Sequence, residues 1–155
     1  MDAVPYHSLK LFFGGRRNYI QNIVAVLPPN LLYRHGDRSP LSSFPQNSVK
    51  EDAWPWGYGQ LTKTGIQQAY NLGQWLKDRY KNFLSPSYKP KEIYVQSTDY
   101  DRTIMSAEVV LAGLFPPSAE EEWNPDIHWQ PIPVHTMPLS EEKSLRLGAI
   151  HLSLS

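Results

Sequence analysis

Apolar residues along this chain fall into short clusters divided by prolines, and two stretches carry a helical repeat. Leu31-Leu32-Tyr33 is a brief apolar run that ends at Arg34-His35-Gly36, as a buried strand does where it leaves a sheet. Residues 39–60 hold Pro40, Pro45, Pro55, Gly57 and Gly59 and predict a loop. Beyond it, Ile66, Ala69/Tyr70, Gly73, Leu76, Tyr80 and Phe83 recur at helical spacing until Pro86 and Pro90. Thr64 with Gln67 offers a capping box for that helix, with Thr62 as the competing cap. Ile93-Tyr94-Val95 predicts a second strand, and Ser97-Thr98-Asp99 supply cap-type residues after it. Residues 100–114 predict a second helix with Met105, Val109 and Ala112 on one stripe, closed by Pro116-Pro117.

The flanks read differently. Residues 1–30 predict a weakly structured leader, residues 116–138 hold six prolines and predict an extended loop, and the tail from Ser144 shows no clear pattern. The order strand, loop, helix, strand, loop, helix predicts an α/β sheet with crossover helices.

Composition narrows the function classes. Hydrophobic residues make up 41% and charged residues 19% of 155, which argues for a folded chain. Fifteen basic side chains balance fifteen acidic ones, so nothing supports a nucleic-acid binder. With no cysteine, disulfide frameworks, thiolate zinc sites and cysteine nucleophiles are excluded. The early apolar runs, Leu11 to Phe13 and Ile23 to Leu27, are short of the ~20 residues that span a bilayer and of the ~7–15 of a signal peptide. There is no Asn-x-Ser/Thr acceptor for a glycan. Taken literally, these features predict a cytoplasmic chain without a membrane span.

The chemistry sits after the two predicted strands. In open α/β sheets, ligands bind beyond the carboxyl ends of strands. Here those ends lead into Arg34-His35-Gly36-Asp37-Arg38-Ser39-Pro40 and Ser97-Thr98-Asp99-Tyr100-Asp101-Arg102. If the strands are parallel neighbours, the Arg34, Arg38 and Arg102 guanidinium groups surround His35. Guanidinium matches phosphate oxygens in paired hydrogen bonds, and an early position in a helix adds main-chain N–H groups. Clustered positive charge keeps an imidazole neutral and nucleophilic, and Gly36 gives it room and freedom for an unusual backbone turn. Each loop alone is equally well read as structural, its arginines paired with Asp37, Asp99 and Asp101; two such loops in register favour a phosphate site. Five basic against two acidic side chains in residues 1–38 add to that local positive field.

The string Leu-Leu-Tyr-Arg-His-Gly-Asp-Arg-Ser-Pro (31–40) resembles the signature of the histidine acid phosphatases, and Tyr94 to Glu108 resembles their second signature. Trp54 to Thr62, Gly113 to Pro117 and Trp129 to Thr136 agree as well, with the vertebrate lysosomal and prostatic branch nearest. The resemblance covers residues 31–143, leaving 1–30 and 144–155 as an atypical leader and tail. It implies the N-terminal portion of a phosphoglycerate-mutase-like three-layer α/β/α domain with an incomplete sheet. It implies hydrolysis of phosphate monoesters at acid pH through a phosphohistidine on His35, with Arg34, Arg38 and Arg102 binding the phosphate. It implies no metal or other cofactor, small phosphate monoesters or phosphoproteins as partners, homodimers, and a lysosomal or secreted location. Three features depart from the pattern. Pro28-Pro29 shorten the first strand, the family's later His-Asp pair, which supplies the general acid, has no match in this sequence, and Phe83 to Tyr88 stands where relatives often carry a glycosylation site. Asp37, Asp99 and Asp101 serve better as partners of arginines or as caps, and His128 and His135 as structural residues. The expectation is therefore an acid phosphatase impaired by the missing general acid. The alternative is a non-catalytic truncated variant that binds anions or a protein partner.

Overall fold

The computed structural model describes residues 23–27, 30–141 and 149–154. They form a five-stranded sheet, β1 (Ile23–Leu27), β2 (Asn30–Arg34), β3 (Ile93–Thr98), β4 (His135–Met137) and β5 (Ala149–Leu154), in the order β1-β2-β5-β3-β4. Two helices, α1 (Lys63–Arg79) and α2 (Asp101–Leu114), lie between β2 and β3 and between β3 and β4 in sequence.

Alternation sets which face is buried. Leu31 and Tyr33 of β2, Ile93, Val95 and Ser97 of β3, and Ile150 and Leu152 of β5 are all buried. The register pairs them across the strands: Tyr33 with Ile150, Leu31 and Val95 with Leu152, and Ser97 with Ile150. Paired residues share a face, so these side chains form one apolar layer. Ala107, Val110, Leu111 and Leu114 of α2 and Ala69 and Leu76 of α1 complete the core. On the opposite face of β3, Tyr94 stays exposed and stacks on the His135 ring of β4, with centroids 4.7 Å apart. One helical layer thus covers one face among the described residues.

Glycines let the two helices touch backbone to backbone. A Cβ on Gly73 would strike the Val110 carbonyl, and one on Gly113 would strike that of Tyr70. The buried stripe of α2 runs through Thr103, Ser106, Ala107, Val110, Leu111 and Leu114. The expected stripe of Met105, Val109 and Ala112 is only its half-buried flank. The cause is that α2 packs against both α1 and the sheet, so its buried arc is wider than one apolar stripe.

Other expectations also change. Helix α1 ends at Arg79 with Tyr80 as its C-cap, and Phe83 is exposed outside it. Thr62 is the N-cap, its Oγ1 accepting from the Gly65 N–H at 3.1 Å, because the same hydroxyl donates to Asp37 Oδ2 at 2.7 Å. The N-cap of α2 is Tyr100, with no side-chain cap bond. Thr103 Oγ1 instead sits 2.7 Å from the carbonyls of both Thr98 and Tyr100. Residues 23–27, placed in the leader, form β1, antiparallel to β2. The tail read as patternless supplies β5, between β2 and β3, because Ile150 and Leu152 alternate with His151 and fill the core. The remaining expectations for residues 1–22, 28–29, 142–148 and 155 lie outside the described residues.

Candidate active site

β2 and β3 are not the neighbours that the sequence suggested. Each pairs antiparallel with β5, so the two run parallel with one strand between them. Arg34 pairs with Ala149 and Ser97 with Ile150, which brings both strand ends to the same edge. Two strand spacings, roughly 10 Å, separate them.

The loop after β2 is tied at almost every peptide. His35 is 6% exposed, and its Nδ1 lies 2.7 Å from the Gly36 carbonyl oxygen. A carbonyl only accepts, so Nδ1 carries the proton and Nε2 is the ring nitrogen left with a lone pair. The Gly36 N–H donates to Ser106 Oγ at 3.1 Å, and the Asp37 N–H to Gln68 Oε1 at 2.9 Å. A Cβ on Gly36 would collide with the Gly65 backbone at the start of α1. That close approach accounts for glycine here. The positive backbone angles fall at Gly57 and Gly59 instead, in the loop that Ser39 ties back through 2.7 Å to the Gly57 carbonyl, so the expected unusual turn at Gly36 is corrected.

The charges of Arg34, Arg102 and Arg38 all reach the His35 ring. Burial of the imidazole, opposed by its bond to Gly36 and joined by the charges of Arg34, Arg102 and Arg38, holds its pKa below the ordinary value. Burial first, and then the charges of Arg38 and Arg34, lower that of Arg102 as well, although Tyr100 and Asp101 oppose the shift. Arg102 stands over the Tyr100 ring at 4.4 Å, and its Nε is buried without a hydrogen-bond partner. Arg38 donates from Nη1 to the Ser39 carbonyl at 2.9 Å. Arg34, the last residue of β2, is exposed.

The expected pairing with carboxylates is absent. Among the described residues no ion pair joins these arginines to Asp37, Asp99 or Asp101. Asp37 accepts from Thr62, and Asp101 from Gln60 Nε2 at 3.3 Å. The result is three cations without an ion-pair partner beside a buried imidazole whose charged form is disfavoured, an arrangement that favours a bound anion. Among the described residues no group of three or more metal-ligating side chains occurs. Sequence reasoning gave no role to Ser106 and Gln68; only their helical positions were legible.

The model of the histidine phosphatase superfamily, branch 2, matches residues 30–150. This chain belongs to that superfamily. The resemblance drawn from the two arginine-bearing motifs is borne out, and the α/β architecture is that of an incomplete histidine phosphatase domain. The chain is 52% identical over 132 residues to lysosomal acid phosphatase of Homo sapiens, covering 79% of this chain and 31% of that one. It is 55% identical over 137 residues to prostatic acid phosphatase of Homo sapiens, covering 88% and 35%. The solved structure of a phytase from Citrobacter braakii aligns over 53% of this chain and 23% of that one, at 26% identity and a TM-score of 0.44. The chain spans about a third of the length of the curated relatives it matches.

Proposed function

We propose that this chain carries the nucleophilic and phosphate-binding half of an acid phosphatase site. His35 is the nucleophile, and Arg34, Arg38 and Arg102 hold the phosphoryl oxygens. The observation that carries the reading is the Nδ1 bond of His35 to the Gly36 carbonyl, which leaves Nε2 as the nitrogen free to attack beside the charges of Arg34, Arg102 and Arg38.

The chemistry follows from that atom. The Nε2 lone pair forms a bond to phosphorus while the bond from phosphorus to the ester oxygen breaks. The arginines stabilise the charge spread over the equatorial oxygens. Water then attacks the phosphohistidine, the N–P bond breaks, and inorganic phosphate leaves. The lowered pKa keeps the attacking form populated in more acid solution than an ordinary histidine would.

The leaving alkoxide needs a proton, and these 155 residues contain no His-Asp pair to supply it. General acid catalysis contributes about 10²–10⁴-fold, so turnover of alkyl phosphates by this chain is impaired by about that factor. Small phosphate monoesters and phosphoproteins are the substrate class, and a lysosomal or secreted location is supported by the lysosomal relatives. Among the described residues no helix is long and apolar enough to cross a membrane.

A second reading is an anion-binding protein without turnover. Both readings require the pocket. Inorganic phosphate should raise the melting temperature as RT ln(1 + [L]/Kd) dictates, and Arg102→Ala should remove the shift. A folded wild type indifferent to phosphate would overturn both.

A further inference from the structure

Ser106 sits on the buried stripe of α2 beside Ala107 and Val110, and is 1% exposed. Alanine would serve that position better, both as a helix former and as a core residue. A serine hydroxyl that bonds back to the carbonyl four residues earlier tends to bend and weaken a helix. Ser106 makes that bond, donating to the Arg102 carbonyl at 2.6 Å. Its one proton is thereby spent, and its lone pairs face the Gly36 N–H at 3.1 Å.

The hydroxyl therefore joins the two motifs at one atom. On one side is the peptide that links His35 to Gly36, and on the other the first turn of α2, which carries Arg102. The neighbouring peptide, between Gly36 and Asp37, offers its carbonyl to His35 Nδ1 and its N–H to Gln68. Ser106 is thus the buried tie that holds the His35 main chain in register with the Arg102 main chain across an intervening strand.

We propose that Ser106 is a positioning residue of the phosphate site, setting the ring orientation of His35 relative to the Arg102 guanidinium through the Gly36 peptide. This rests on the phosphate-site reading above. The effect is on geometry, so it should reach ligand affinity and the imidazole tautomer as well as stability.

The test compares full-length wild type, Ser106→Ala, Ser106→Thr and Arg102→Ala by calorimetric titration with inorganic phosphate, well below each melting temperature. Ser106→Ala should weaken phosphate binding about tenfold, the worth of one buried hydrogen bond, and Ser106→Thr should restore it. Nitrogen-15 spectra of the His35 ring should show a protonated Nδ1 in wild type and a mixture of tautomers in Ser106→Ala. Unchanged affinity and tautomer in a folded Ser106→Ala, with binding lost in Arg102→Ala, would overturn the positioning role and leave the site reading intact. Equal binding by wild type and Arg102→Ala would overturn the site reading and this proposal with it. Should Ser106→Ala not fold, hydrogen exchange at the wild-type Gly36 amide decides. Slowing by phosphate supports the tie, and no slowing overturns it.

Discussion

Gly36 and Gly65 meet backbone to backbone, so closely that a Cβ on Gly36 would overlap the main chain of Gly65. A Cβ on Gly65 would in turn overlap that of Asp37. The contact presses the start of α1 onto the loop that holds His35. Together with the Thr62 hydroxyl bonded to Asp37, it ties the start of α1 to the residues that follow His35.

Gly65→Ala should therefore disturb both fold and site. Forcing a methyl against main chain costs about 1–3 kcal/mol, since neither the helix nor the loop can yield alone. For a chain of this size, a loss of that order lowers the melting temperature by several degrees. Thermal melts with and without phosphate check this, and a variant with wild-type stability would show that the two backbones part easily.

The pH dependence follows from the direction of the His35 shift. Its folded-state pKa lies below the ordinary 6.5, chiefly because the ring is buried. Between the two values the unfolded chain binds a proton that the folded chain does not. This group's contribution to stability is fully present above pH 6.5 and is lost as pH falls through the folded value. The difference between the stability profiles of wild type and His35→Ala should rise with pH across that window and then level off. Denaturant titrations at several pH values measure it, and a difference profile that falls with pH would reverse the sign of the shift.

Ile150 tests the placement of β5. Its side chain is fully buried between Tyr33 and Ser97 in the register. Ile150→Ala should cost about 2–5 kcal/mol, as core truncations do. A surface tail would lose less than ~0.5 kcal/mol, and urea denaturation separates the two.

Much of the site was readable because its chemistry is local in sequence. Arg34 ends β2 and His35, Gly36 and Arg38 follow it directly, while Arg102 opens α2 just after β3, and the apolar residues of each strand announce its end. The helices were readable in position, but less so in their buried arcs. Periodicity in α2 selects an apolar stripe, whereas packing against two partners buries Thr103 and Ser106 as well. What the sequence hid was long-range. Ala149–Leu154 alternates Ile150, Leu152 and Leu154 with His151 and Ser153, a strand signal that six residues near the chain end make easy to overlook. Only tertiary pairing shows that this segment separates β2 from β3. Ser106 likewise reads as a small core residue until the Gly36 amide is placed against it.

The central claim is that Nε2 of His35 takes the phosphoryl group. An aryl ester such as p-nitrophenyl phosphate releases a stable anion and relies little on a proton donor, so the first half-reaction is readable in this chain alone. The measurement is mass spectrometry of the full chain after brief incubation with p-nitrophenyl phosphate and an alkaline quench, which preserves phosphohistidine. The account predicts one added phosphoryl group, mapped to His35 and absent from His35→Ala and Arg102→Ala. Phosphate-stabilised, folded protein that carries no label on His35 would contradict it and leave the chain an anion-binding protein without phosphoryl transfer.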